Sequence, residues 1–404
     1  MSEPCAAVVA GHLCLDVIPD LSGSPHSSFE TLFVPGHLIN VGEATFSTGG
    51  AVSNTGLVLH KLGIRTRLMG KVGADLLGQV TREIVDAHGQ GLADGMIVDE
   101  EAGSSYTVII NPPGVDRIFL HYPGPNDTFC ADDVRYELVA EARLFHFGYP
   151  PLMRLIYEDE GAELVGIFHR AKATGVTTSL DMSLPDLSSP AARADWVSIL
   201  RSTLPYVDIF MPSIEEILFM LRRETYTELC QAASGTHLLP GVTPELLSGL
   251  GQELLDMGAK IVGLKLGEQG LYLRTAGRAA LEAMGRASPS DPAAWANREL
   301  WAPCFQVNVV GTTGAGDATI AGFLSALLRD MSPEAALTAA VAVGACDVEA
   351  ADALGGIRPW EETLQRVESG WPRRALALGA PGWRFDESHQ LWAGPLDAPI
   401  VISS

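Results

Sequence analysis

The residues whose types and spacing best suggest chemistry form the run Gly311–Asp317 (GTTGAGD), followed by the apolar stretch Ala318–Leu328. It reads as a strand entering a glycine-rich turn that opens a helix. Gly314 and Gly316 permit unusual backbone dihedrals and a close approach to a ligand. The amides of Ala315, Gly316 and Asp317 would then point from the helix N-terminus at an anion. Such a nest holds a phosphate without Lys or Arg. Asp317, in the same turn, is placed to accept a proton from a hydroxyl attacking that phosphate. The run also reads more plainly, as a helix N-cap Asp behind a flexible turn.

A second segment, Ser47–Asn54 (STGGAVSN), places Gly49 and Gly50 at the start of a helix with Asn54 one turn in. Backbone amides and a side-chain amide suit a polyol, which needs neutral donors and acceptors in a tight cleft. In a third, Gly70–Gly78 (GKVGADLLG), Lys71 invites a phosphate-loop reading, but the GxxxxGK[ST] spacing is absent. Asp75 as a helix N-cap accounts for most of that segment.

The elements that must position these residues follow from periodicity. Ala6–Ile18 reads as one buried strand, with Thr31–Val34 and His37–Val41 as short strands around Pro35-Gly36 and Ser22–Ser28 as a loop. Ser105–Ile110 and Arg117–Tyr122, joined by Asn111–Gly114, form a hairpin signature. From about residue 50, helices of about a dozen residues alternate with apolar strands such as Val176–Leu180, Val207–Met211 and Ile261–Leu266. Ser213 and Thr243 are placed to cap the helices that follow them. This alternation predicts an α/β fold, a doubly wound, mainly parallel sheet with helices on both faces. Asp181, Ser213 with Glu216, Lys265 with Gly267, and the Gly314–Asp317 turn all fall just past strand C-termini, the rim where open parallel sheets bind ligands. Residues 275–300 read as an insertion before a strand at Phe305–Val310. The tail beyond about residue 360 carries Trp360, Trp371, Trp383 and Trp392, which would pack on the main body or on another subunit.

The chain has 404 residues, is 47% hydrophobic and carries a formal net charge of −22. So acidic a surface repels nucleic acid and anionic membranes, and neither is expected as a partner. It also means that an anionic nucleotide must be held by backbone amides, a helix N-terminus and Mg²⁺, since no basic patch is available. The six cysteines show no CxxC or metal-ligand spacing and read as reduced core thiols of a cytoplasmic protein. No signal-peptide pattern and no membrane-spanning apolar run is evident.

Taken in order, Gly49-Gly50 with Asn54, Gly70–Gly78, Lys265–Gly270 (KLGEQG) and Thr312–Asp317 (TTGAGD) resemble the signatures of ribokinase-like (PfkB) sugar kinases, over about residues 5–360. The resemblance implies a large α/β domain from 1–16, 46–103 and 124–360, a small β-sheet lid from 17–45 and 104–123, and a tail extension at 361–404. It implies ATP and Mg²⁺ as cofactors and a sugar or related polyol as the acceptor. Asp317 would be the general base, and Gly314, Ala315 and Gly316 the anion hole. Asp16, Gly49, Gly50 and Asn54 would hold substrate hydroxyls. Ser213, Glu216, Lys265 and Gly267 would lie by the nucleotide, with Glu216 near Mg²⁺ through water. Two copies would pair through the lid, whose open sheet edges invite it.

Three positions depart from the pattern. Ser213 stands where the family has Asn at the start of its Asn-x-x-Glu motif. Gly311 stands where ribokinase-type members carry an Asp that helps hold a monovalent cation, which puts K⁺ activation in doubt. Gly148 stands where ribokinases place a Glu on the substrate, which weakens ribose as the acceptor. Two alternatives keep the scaffold. One is a nucleoside kinase, with Tyr106, Phe119 and His121 stacking on a base. The other is a non-catalytic sugar- or nucleotide-binding protein, motivated by Ser213 and Gly311. A nicotinamide dehydrogenase is poorly supported, because no GxGxxG follows a strand.

Overall fold

The computed structural model describes residues 5–23, 28–112, 117–232 and 238–397. Its strands are β1 (Ala7–Gly11), β2 (Cys14–Ile18), β3 (Thr45–Gly49), β4 (Thr66–Met69), β5 (Lys71–Gly73), β6 (Ile97–Asp99), β7 (Tyr106–Ile110) and β8 (Ile118–Tyr122). They continue with β9 (Leu144–Gly148), β10 (Thr177–Leu180), β11 (Ile209–Phe210), β12 (Ile261–Lys265), β13 (Leu271–Thr275), β14 (Glu299–Ala302), β15 (Arg384–Asp386) and β16 (Leu391–Ala393). Among the described residues, ten strands form one sheet in the order β15-β16-β14-β13-β12-β11-β10-β9-β1-β4. From β12 to β4 every pair is parallel; from β12 to β15 every pair is antiparallel.

Strand alternation explains why both faces are covered. In β1, Val8 and Ala10 join one apolar core while Ala7 and Val9 join the other, and all four are fully buried. Helices 162–173, 196–203, 214–221 and 244–256 contribute to the first core; 51–61, 315–328 and 333–347 contribute to the second. The predicted doubly wound arrangement is therefore present. A separate four-stranded sheet, β3-β2-β7-β8, contains the predicted hairpin, whose tip at 113–116 lies outside the described residues, as do 24–27 of the Ser22–Ser28 loop.

Four expected strands differ. Ala6–Ile18 is not one strand: it breaks between Gly11 and Cys14, and β2 belongs to the small sheet. Gly11 has φ +126°, and a Cβ there would stand 2.3 Å from the Gly148 carbonyl oxygen, so only glycine lets the chain turn out of the large sheet here. Thr31–Val34 and His37–Val41 do not form strands. Ser28 accepts a hydrogen bond from the Thr31 amide and caps a short helix, Phe29–Leu32, and residues 33–44 follow without regular structure. Phe305–Val310 is not a sheet strand either. It makes one isolated bridge, Phe305 to Arg373. The place a further parallel strand would take beside β12 is occupied by antiparallel β13.

The 275–300 region contains the short helices Arg278–Glu282 and Pro292–Trp295 and leads into β14. The tail packs on this main sheet: β16 pairs with β14, and Trp383 contacts the rings of Tyr272 and Trp301 at centroid distances of 6.3 and 5.9 Å. All six cysteines are free thiols, buried or half-buried.

Candidate active site

The glycine turn is entered from a loop, not a strand, and it opens the helix Ala315–Leu328. Gly314 is the N-cap in the left-handed region, φ +80°. A Cβ at Gly314 would lie 2.5 Å from that of Ala353, which excludes larger residues. The Ala315 amide turns back toward the Thr312 carbonyl at 3.4 Å, so it is not wholly free for an anion as expected. Asp317, one turn in, is 2% exposed. Three donors reach its carboxylate: Asn54 Nδ2 at 3.1 Å and the Tyr149 hydroxyl at 2.6 Å to Oδ2, and Thr55 Oγ1 at 3.0 Å to Oδ1.

The second helix of the site, Ala51–Lys61, begins at Gly50. Its first turns are fully buried against the large sheet, which fixes Asn54 and Thr55 toward Asp317. Asn54 Oδ1 is buried and has no hydrogen-bond partner among the described residues. Gly49 lies against Asp16: a Cβ there would be 2.5 Å from Asp16 Oδ2. Burial raises the Asp16 carboxyl to about 6, offset in part by Cys14 and Thr107 as hydrogen-bond partners. Tyr149 follows β9 directly, with φ 64°, and burial, then the charge of Asp317, pushes its phenol well above the usual range.

A cleft of about 530 Å³ runs along the C-terminal rim of the parallel strands. Ser213, Glu216, Lys265, Gly267 and the whole Gly314–Asp317 turn line it, together with Asp181 and Tyr149. Asp16, Gly49, Gly50 and Asn54 are not on its lining; Asn54 adjoins it through Asp317, and Asp16 lies behind it against Gly49. Lys265 Nζ donates to Asp181 Oδ1 at 2.7 Å, and its side chain packs beside Gly316. Burial drives the Asp181 carboxyl up against the opposing pull of Lys265, and its Oδ2 is unpartnered. Burial disfavours the Lys265 ammonium, but Asp181, Glu216 and Asp317 outweigh it and the net direction is up.

Ser213 and Glu216 form a reciprocal capping box. Ser213 Oγ accepts from the Glu216 amide at 3.2 Å, and Glu216 Oε2 accepts from the Ser213 amide at 2.6 Å. Asp75 is likewise an N-cap, accepting from Gly78 at 2.9 Å, and Lys71 is held in ion pairs by Asp99 and Asp133 at 3.6 and 3.2 Å. The small sheet reaches the glycine turn, where Arg117 donates to the Thr313 hydroxyl.

The sequence reading missed Thr55, Tyr149 and Asp347. Tyr149 could have been found, because it too follows a strand C-terminus on the ligand-binding rim. Asp347 ends the apolar helix Pro333–Asp347; both its oxygens are buried without partners among the described residues, and burial, then Asp317, pushes it up to about 8. Two family departures have local causes. A Cβ at Gly148 would meet that of Ala51 at 2.2 Å, and one at Gly311 would meet the Ala350 carbonyl oxygen at 2.8 Å.

A parallel sheet whose C-terminal rim carries a glycine turn, a helix-borne carboxylate and a nucleotide-sized cleft is the architecture of a small-molecule phosphotransferase. The chain belongs to the pfkB family of carbohydrate kinases, which it matches over residues 7–358. It is an enzyme that phosphorylates an alcohol group of a carbohydrate. It is 26% identical over 336 residues to Fructokinase-2 of Oryza sativa subsp. japonica, covering 82% of each chain. Its fold is that of Arabidopsis thaliana ribokinase complexed with ribose and ATP (TM-score 0.65, 20% identity, 90% of this chain and 98% of that one). Xylella fastidiosa fructokinase with bound ATP is similar in the same way (TM-score 0.64, 17% identity, 90% and 98%). Among the described residues, no helix is long and apolar enough to cross a membrane.

Proposed function

We propose that the enzyme transfers the terminal phosphoryl group of ATP to a hydroxyl of a sugar or related polyol, with Asp317 as general base and the Gly314–Gly316 turn as anion hole. The observation that carries this reading is the Asp317 carboxylate, held by three donors in the first turn of a helix whose N-terminus opens on the cleft. A cleft of about 530 Å³ is of nucleotide size, and Val307, Val341 and Ala345 give it an apolar wall suited to a base. Glu216 and the unpartnered Asp181 Oδ2 make an oxygen-donor set of the kind Mg²⁺ takes through water. Bound there, Mg²⁺ would neutralise phosphate charge. Lys265 supplies a fixed cation on the same wall, and Gly267 a backbone that approaches the nucleotide. Ser213 keeps its hydroxyl proton for a phosphate oxygen while its oxygen caps the helix.

On the acceptor side, Asn54 Oδ1 is a buried acceptor for a substrate hydroxyl, and Asp16 with Gly49 and Gly50 forms the neighbouring wall. The segments 17–45 and 104–123 act as a lid that excludes water, so that phosphate passes to the sugar and not to solvent. The packing of Gly311 against Ala350 leaves no room for the carboxylate that a monovalent cation would use there, and K⁺ activation is not part of the reading.

The test is Asp317→Asn. The variant keeps nucleotide binding, measured calorimetrically, and loses turnover by about 10²–10⁴-fold, the usual scale for a general acid–base group. Turnover is read as ADP release with fructose and ribose first, then other sugars, polyols and nucleosides. Near-wild-type turnover in the variant would overturn the assignment of the base; a nucleoside as best acceptor would overturn the sugar.

A further inference from the structure

Where the chain leaves the large sheet for the small one, three metal-type donors converge outside the nucleotide cleft. His12, Cys14 and His121 place one ring nitrogen, the sulfur and one ring nitrogen within 4.8 Å of one another. They come from the β1–β2 connection, from β2 and from β8. We propose that these three residues form a binding site for a soft divalent cation of the zinc type.

His12 is the observation that points to a ligand. It is 2% exposed, and among the described residues neither of its ring nitrogens has a hydrogen-bond partner. A buried imidazole with both nitrogens unsatisfied bears the desolvation penalty of each without a hydrogen bond in return, so native proteins rarely keep one without a use. Its position is built: a Cβ on Gly50 would fall 2.6 Å from His12 Nδ1, so glycine at that site makes room for the ring. The other two donors are oriented by one hydroxyl. Thr107 Oγ1 lies 3.0 Å from His121 Nδ1 and 3.5 Å from Cys14 Sγ, the outer-shell arrangement that aims metal ligands. Asp16 Oδ1, 3.5 Å from Cys14 Sγ, adds negative charge beside the cluster.

The donor set selects the ion. Two imidazoles and a thiolate suit Zn²⁺, whereas Mg²⁺ and Ca²⁺ require oxygen. Tetrahedral coordination at about 2.0–2.3 Å places neighbouring donors about 3.5 Å apart, so a contraction of about 1 Å closes the site. Binding exchanges a proton for the metal at sulfur: the S–H bond breaks, an S–metal bond forms and H⁺ leaves to solvent. Because His121 lies on the hairpin and His12 on the exit from the large sheet, the ion ties the small sheet down next to Asp16.

Titration of the metal-free full chain with Co²⁺, a spectroscopic stand-in for zinc, tests the site without any turnover. The expected result is one equivalent bound, with a near-ultraviolet thiolate-to-cobalt band and the strong visible bands of four-coordinate cobalt. Cys14→Ser abolishes the thiolate band, His121→Ala weakens binding at least tenfold, and Cys130→Ser changes neither. His121 is exposed, so its variant carries the test even where Cys14→Ser folds poorly. Absence of the band in wild type, or its persistence in Cys14→Ser, overturns the proposal and leaves the unpartnered His12 to a substrate hydroxyl. The readout is metal binding, so it fails or succeeds separately from the assignment of Asp317.

Discussion

The Tyr149 hydroxyl, 2.6 Å from Asp317 Oδ2, is the shortest of the three bonds that hold that carboxylate, and it comes from a residue in a sparsely populated backbone conformation, φ 64°. A non-glycine residue there costs of order 1 kcal/mol or more and persists where its surroundings demand it. Here the demand is geometric: leaving β9, the chain must turn its side chain back onto the helix Ala315–Leu328. With Asp317 as the proposed base, Tyr149 is assigned as a positioning residue acting through it. Tyr149→Phe keeps the ring and backbone and removes one charge-assisted bond, worth about 1.5–3 kcal/mol. We expect kcat to fall about tenfold to a hundredfold with KM for the nucleotide nearly unchanged, as steady-state kinetics would show. A rise in nucleotide KM with kcat intact would instead assign Tyr149 to binding.

The helix Ala315–Leu328 carries the site, and its starting point is set by Gly314 alone. Its left-handed dihedral and the approach of Ala353 leave no space for a side chain. Gly314→Ala therefore forces the turn apart: thermal denaturation should show a lower midpoint, and phosphate-end contacts should weaken so that turnover drops with it. Wild-type stability and turnover together would refute the close packing. This turn was legible in the sequence because Gly314 and Gly316 stand directly before an apolar helical stretch, a pattern set by neighbouring residues alone. So were the caps at Asp75, Ser213 and Thr243, since each is a local hydrogen bond between residues three apart. What local pattern could not reveal depends on pairing across the chain. Ala6–Ile18 is apolar but for His12 and Asp16, yet Gly11 meets Gly148 and diverts it into another sheet, carrying Asp16 with it. Phe305–Val310 has strand composition, yet antiparallel β13 already holds the edge it would join. Thr55 sits inside a helix whose period marks it simply as buried, and its partner Asp317 lies 262 residues away.

Across the whole molecule, the sign of the pH dependence of stability follows from which buried groups resist charge. Burial pushes Asp347 up to about 8 from an ordinary 3.8, and Asp181 moves the same way. Between those limits the folded protein keeps a proton that the unfolded chain has released, so stability falls as pH rises. Two buried histidines act oppositely lower down. His12 and His146 are depressed by burial to about 3 from 6.5, so in that range the unfolded chain binds more protons and stability rises with pH. The two effects offset one another on the acid side, and the histidine contribution fades within about a unit above 6.5, where the carboxylates dominate. The thermal midpoint should therefore decline from pH 6.5 to pH 8. Asp347→Asn cannot ionise, so it should flatten about half of that decline, Asp181 supplying the rest, and melt higher than wild type at pH 8. Calorimetric scans of both proteins across that interval decide it: a level wild-type profile, or an equal slope in the variant, would show that Asp347 is stabilised as an anion by its surroundings.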